Sequence, residues 1–214
     1  MVRVLLVDDH ELVRTGIAHL LGKHEAIQVV GAACSGEEAI RLVDDLKPEV
    51  VLMDINMPGI GGIEASRKIN MKHPGVKIIA LSALTGGPIP RQLLNAGAQG
   101  YISKSCSVTE LIHAVMTVHD GKRYLSADVA NQLALSHLSG GQTGSPFEQL
   151  TQREMQIVLL TLQGKDPAEI ADLLMISRKT VSTYRYRVDA KLGVKNDVEL
   201  VCLSLKHKLI THPI

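Results

Sequence analysis

The chain has 214 residues, 45% hydrophobic and 21% charged, with a formal net charge of +1, which suits a soluble protein of two small domains. Three widely spaced cysteines (Cys34, Cys106, Cys202) without a CxxC pattern argue against a zinc site and for free, mostly buried thiols in a reducing compartment. No stretch approaches the roughly 20 apolar residues of a membrane span, and the apolar run 4–7, closed by two aspartates, is too short for a signal peptide, so a cytoplasmic location without membrane insertion is expected.

From the N-terminus, short β-rich runs alternate with amphipathic stretches. Residues 2–7, 27–33, 50–53, 77–82 and 100–102 read as buried strands. Helical segments are predicted near 11–23, 36–46, 61–73, 88–97 and 107–119, the third stopped by His73-Pro74-Gly75. Five β–α pairs with short loops predict an α/β domain over 1–119, a five-stranded doubly wound parallel sheet. Residues 120–148 read as a linker, with a short helix over 127–138 and a Gly/Ser-rich stretch over 139–146. The remainder, 149–214, predicts an all-α unit. Thr151 with Glu154 is a capping box that opens a helix ending at Gly164. Pro167 starts a short helix, Met175-Ile176 make a turn, and Ser177 caps a helix that runs to Leu192 with Gly193 behind it. A last helix covers 197–208. The three-residue turn between the second and third of these four helices is a helix-turn-helix signature.

In parallel sheets, chemistry gathers at the carboxyl ends of the strands. Asp8, Asp9, Asp54, Ser82 and Lys104 all fall at or just after predicted strand ends. Singly, each has a plain reading: a capping turn for Asp8-Asp9, a loop carboxylate for Asp54, an unremarkable structural role for Ser82 and Lys104. Together they describe a phosphoryl site. Transfer to a carboxylate needs its charge neutralised, which Mg²⁺ does with oxygen ligands. Asp8, Asp9 and Asp54 would supply side-chain oxygens and Asn56 a backbone carbonyl. Lys104 would pair with the phosphoryl oxygens and Ser82 would hydrogen-bond them. His10 is expected to begin the first helix rather than bind metal. Tyr101 is expected to sense the phosphate state rather than serve only as a core aromatic.

The net charge hides an asymmetry. Residues 1–119 carry 11 Lys+Arg against 12 Asp+Glu, whereas 149–214 carry 10 against 7. Within 178–191, Arg178, Lys179, Arg185, Arg187 and Lys191 face only Asp189, a stripe suited to a polyanion. Projected at about 100° per residue, Val181, Tyr184, Val188 and Leu192 form the apolar side of this helix. Lys179, Thr183, Tyr186 and Ala190 lie opposite. The face fits a major groove, with Ser182, Thr183 and Tyr186 near bases and Arg178, Lys179, Arg187 and Lys191 near phosphates. Arg185, beside the core stripe, is placed to pair with a neighbouring acid. On charge alone a solvated helix of an interaction domain fits equally.

Residues 1–119 resemble the receiver domain of bacterial two-component response regulators, on Asp8-Asp9, Asp54, Pro58-Gly59, Ser82-Ala83 and Tyr101 with Lys104. The resemblance implies that Asp54 takes a phosphoryl group from the histidine of a sensor kinase with Mg²⁺ present, and that Ser82 and Tyr101 then shift together. Residues 150–210 resemble the LuxR/NarL-type helix-turn-helix, on Leu150-Thr151-Gln152-Arg153-Glu154, Glu169-Ile170-Ala171, Leu174-Met175-Ile176-Ser177, Lys179-Thr180-Val181 and Lys191-Leu192-Gly193. The run 180–187, with Ser145-Pro146-Phe147, resembles the GacA/UvrY/SirA/LetA group of regulators. That implies a hybrid membrane-bound sensor kinase as partner, double-stranded promoter DNA as target, and activation of small regulatory RNA genes. Likeness to NarL-type proteins further implies a homodimer through the last helix, where Val198, Val201, Cys202 and Leu205 form a small apolar face; packing of that face within its own domain fits equally, and both can hold. Two other readings are distinguishable. A haloacid-dehalogenase-like enzyme would carry its nucleophile as DxDx(T/V) on the first strand, which here ends Asp-Asp-His. A module that sequesters phosphoryl groups would accept phosphate without binding DNA.

Overall fold

The structure, a computed structural model, describes residues 1–82, 89–131, 145–207 and 209–210. Ala83 and the predicted helical and Gly/Ser-rich residues 132–144 lie outside these. The chain divides into two compact units, the first reaching Asn131 and the second holding the C-terminal helices.

The first unit alternates β1 (Val2–Val7), α1 (Glu11–Leu21), β2 (Ile27–Ala33), α2 (Gly36–Leu46), β3 (Val50–Asp54), α3 (Gly61–Lys72), β4 (Lys77–Ser82), α4 (Ile89–Asn95), β5 (Gly100–Ser103) and α5 (Val108–His119). The strands are all parallel, in the order β2-β1-β3-β4-β5-β6. The sixth strand, β6 (Tyr124–Leu125), corrects the expected five-stranded sheet. Two residues after α5 are too short to show alternation, yet they extend the sheet beside Gly100 and Tyr101.

Burial on both faces explains why β1 and β3 read as continuous apolar runs. Val4, Leu6, Val50, Leu52, Ile79, Leu81 and Ile102 form one cluster with Leu21 of α1 and Leu111, Ala114, Val115 and Val118 of α5. Leu5, Val51, Met53, Ile78, Ala80 and Tyr101, one residue out of step, are equally buried and face the other way. The chain moves from β1 outward to β2, then crosses back to β3 on β1's other side. That reversal opens a crevice between the carboxyl ends of β1 and β3. Asp8 follows β1, and Asp54 ends β3.

The second unit holds a 3₁₀ turn (Pro146–Gln149) and helices α6 (Gln152–Leu162), α7 (Pro167–Leu174), α8 (Arg178–Leu192) and α9 (Asp197–Lys206). Capping boxes open both α6, with Thr151 and Glu154, and α7, with Asp166 and Glu169. Met175 turns the chain between α7 and α8 in the left-handed region at φ 53°, and Ser177 caps α8 by accepting from the Thr180 amide. Phe147, the chain's one phenylalanine, is fully buried with Met155, Val158, Val188 and Leu200. Val181 packs with Ile157, Ile170 and Leu174, and Tyr184 lies against that cluster. The apolar stripe predicted for α8 is therefore the side that holds this helix in place. No helix among the described residues is long and apolar enough to cross a membrane.

Candidate functional site

Asp8 and Asp54 are 2% and 1% exposed, and each is aimed from both sides. The His10 amide donates to Asp8 Oδ1 at 2.9 Å, and the Asn56 amide donates to Asp54 Oδ1 at 3.1 Å. These turns, closed two residues on, leave the second oxygen of each carboxylate facing the crevice. Lys104 Nζ lies 2.7 Å from Asp8 Oδ2 and 2.8 Å from Asp54 Oδ2. Lys104 itself is positioned by β5, its amide donating to the Ser82 carbonyl at 2.8 Å.

Asp54 cannot be as acidic as an exposed aspartate. Burial pushes its pKa up to about 6, against the pull of Lys104. Burial also disfavours the Lys104 ammonium, but Asp54 and Asp8 outweigh it and hold the lysine above its usual value. One ammonium thus faces the buried pair, with Asp9 beside it. Carboxylate oxygens of Asp8, Asp9 and Asp54, together with a ring nitrogen of His10, lie within 4.8 Å of one another. The donors are chiefly hard oxygens and their negative charge exceeds what Lys104 supplies, so the cluster fits a Mg²⁺-sized cation. His10 stands at the N-cap position of α1, as expected, while its Nδ1, 2.9 Å from Asp9 Oδ1, lies beside the carboxylates.

Ser82 and Tyr101 are both fully buried, and the Tyr101 phenol is hydrogen-bonded to Ser82. Burial pushes the phenol up to about 12, so it stays neutral. The structure brings Asp8, Asp9, Asp54 and Lys104 into one cluster. Ser82 is in contact with Tyr101, and its carbonyl accepts from the Lys104 amide. Asn56 closes the Asp54 turn.

Two further contributors escaped the sequence reading. Arg14 Nη1 donates to the Asp8 carbonyl at 2.6 Å and so fixes the β1 end from the first turns of α1. Gly62 lets α3 start against β3: a Cβ there would fall 1.9 Å from the Asp54 carbonyl oxygen. A cation shortly after paired aspartates, and the Gly-Gly of 61–62, are the signals that mark them.

In the second unit α8 exposes Arg178, Lys179, Ser182, Thr183, Tyr186 and Arg187. Arg187 is held over the Tyr184 ring at 5.8 Å. Arg185 is ion-paired with Asp197, as its place beside the core stripe predicted. Lys191 stands apart from the exposed face. Its ammonium lies 2.6 Å from the buried Glu154 and 3.2 Å from the Gln149 carbonyl, tying α8 to α6. On α9, Val198, Cys202 and Leu205 are exposed along one stripe, whereas Val201 packs against the core. Cys34 is exposed as well and Cys106 half-buried, which corrects the expectation of mostly buried thiols.

Residues 4–116 match the response regulator receiver domain family, and residues 148–204 match the bacterial regulatory proteins of the luxR family. The chain belongs to the LuxR-family response regulators. This regulator is 46% identical over 210 residues to the response regulator GacA of Pseudomonas viridiflava, covering 98% of each chain. It is 46% identical over 209 residues to the response regulator UvrY of Escherichia coli K12, covering 98% of this chain and 96% of UvrY. Among solved structures, RcsB of Salmonella enterica serovar Typhimurium, bound to promoter rprA with the phosphomimetic BeF3⁻, matches with a TM-score of 0.68. The identity is 26%, over 94% of this chain and 97% of RcsB. The regulator thus joins a receiver to a LuxR-type DNA-binding domain.

Proposed function

We propose that Asp54 accepts a phosphoryl group from a sensor histidine kinase and that this modification controls dimerisation and promoter binding. The observation that carries the reading is the buried pair Asp8 and Asp54 bridged by Lys104, with Asp9 alongside. Mg²⁺ would be held by Asp8, Asp9, Asp54 and the Asn56 backbone carbonyl, where it would neutralise negative charge on the incoming group. Lys104, already beside Asp54, would exchange a carboxylate partner for a phosphoryl one. Ser82 has its own choice of partner. While it serves Tyr101 the phenol is anchored inside; drawn toward a phosphoryl oxygen, it would release that anchor and alter the surface around β4 and β5.

Promoter DNA is the partner for α8, with Ser182, Thr183 and Tyr186 near bases and Arg178, Lys179 and Arg187 near phosphates. Lys191 would act mainly through Glu154, keeping α8 seated on α6. The exposed stripe of Val198, Cys202 and Leu205 supports α9 as the dimer contact, which matches an inverted-repeat site. Likeness to GacA and UvrY supports promoters of small regulatory RNAs as targets and a hybrid membrane-bound kinase as donor. The working compartment is then the cytoplasm.

The test is phosphoryl incorporation from a small phosphodonor, read as a mass increase of the intact protein. It should require Mg²⁺, vanish in Asp54→Ala, and decay by hydrolysis as an acyl phosphate does. Incorporation that persists in Asp54→Ala would move the acceptor elsewhere. Incorporation without any DNA binding would favour the sequestering module.

A further inference from the structure

The exposed face of α8 carries Lys179, Ser182, Thr183 and Tyr186 at spacings that bring them together over two turns. Two of its hydroxyls already have a direction. Ser182 Oγ donates to the Arg178 carbonyl at 3.1 Å, and Thr183 Oγ1 donates to the Lys179 carbonyl at 2.9 Å. A hydroxyl has one proton and two lone pairs. With the proton turned into the helix, each oxygen offers only an acceptor to whatever meets this face.

That polarity discriminates among ligands. Phosphate oxygens, guanine O6 and N7, and thymine O4 are themselves acceptors and gain nothing from another one. In the major groove the complementary groups are the amino groups of adenine and cytosine. Threonine adds a methyl group to its acceptor. An A·T pair presents an amino group on one base and a methyl on the other, whereas a G·C pair presents an amino group and no methyl.

We infer that Thr183 reads an A·T base pair, its oxygen accepting from the adenine amino group and its methyl lying against the thymine methyl. Ser182, which lacks the methyl, accepts from an adenine or cytosine amino group at a neighbouring pair. Lys179, a donor with no acceptor, serves the opposite polarity one turn earlier. The inference rests on the DNA-binding reading above and narrows it from a helix face to a set of base edges.

The experiment uses full-length protein treated with a small phosphodonor and Mg²⁺. Wild type first selects duplexes from a randomised inverted-repeat pool. Each adenine of the selected half-site is then replaced, one at a time, by the purine nucleoside that lacks the 6-amino group. Binding is measured for wild type and for Thr183→Val, which keeps the shape and a methyl but loses the hydroxyl. At one adenine the replacement should weaken wild type about 3–10-fold more than it weakens Thr183→Val, the worth of one hydrogen bond. Any general weakening of the duplex would appear in both proteins and cancel. Thr183→Val that loses affinity equally for every duplex would make Thr183 a phosphate contact and overturn the inference. So would replacements that affect both proteins alike at every position. If wild type enriches no duplex, the DNA reading fails and takes this assignment with it.

Discussion

Lys104 and Lys191 are both lysines within reach of a buried carboxylate, one in each unit, and they serve different ends. Lys104 bridges Asp8 and Asp54 at the mouth of a crevice, where a divalent cation and a phosphoryl group would rearrange its contacts. Lys191 meets a single carboxylate, Glu154, which also closes the Thr151 capping box. In the proposed switch the charge that changes partners is shared between two carboxylates, whereas the charge that seats a helix meets one. The same contrast separates Lys191 from Lys179 within α8, since Lys179 is exposed on the face proposed to meet DNA.

The largest effect should come from closing the receiver's backbone. Gly62→Ala puts a methyl 1.9 Å from the Asp54 carbonyl oxygen, so α3 or β3 must move. A loss of about 3 kcal/mol or more in denaturant unfolding is expected, together with impaired phosphoryl incorporation. Next, Lys191→Ala leaves Glu154 buried and should cost about 2–3 kcal/mol. The salt dependence of DNA binding should stay as in wild type. A shallower salt slope instead would make Lys191 a phosphate contact and erase the contrast.

Asp54→Asn tests the burial of the acceptor itself. Asp54 is pushed up to about 6 in the folded chain, from an ordinary 3.8. The folded state therefore favours the protonated form. Stability from this group is full below about pH 4 and is lost as the pH rises toward 6. Free of divalent metal, Asp54→Asn should be more stable than wild type by about 2–3 kcal/mol at pH 7.5 and nearly equal to it near pH 3.5. Equal unfolding curves at pH 7.5 would show that Lys104 fully compensates the carboxylate. The smallest effect is at Lys179→Ala. Thermal stability should be unchanged, while the slope of log affinity against log salt should fall by about 1.

Much of the receiver was legible because its functional groups follow strand ends, and strand ends can be read from where apolar runs stop. Asp8, Asp54, Ser82 and Lys104 needed only that rule to be placed on one edge of the sheet. β6 was not legible, since a two-residue strand has no period. Arg14 and Gly62 were missed for a different reason: each acts on the backbone of an aspartate, a role that side-chain chemistry does not advertise. In the second unit the helical period sorted the two faces of α8, and it placed Tyr184 against the core and Arg185 beside an acid. It could not see that Lys191 meets Glu154, 37 positions away along the chain. On α9 it left two uses of one apolar face open, and the face divides between them: Val201 turns inward while Val198, Cys202 and Leu205 stay exposed.

The most direct test of the central claim is the affinity of the full-length regulator for its pool-selected inverted-repeat duplex at fixed salt. It would be measured with and without a small phosphodonor and Mg²⁺, in wild type and Asp54→Ala. Phosphorylation at Asp54 as the switch predicts a gain of about tenfold or more in wild type and none in the variant. Equal affinities in all four samples would leave a DNA-binding protein whose switch is not the carboxylate cluster, and would contradict the account.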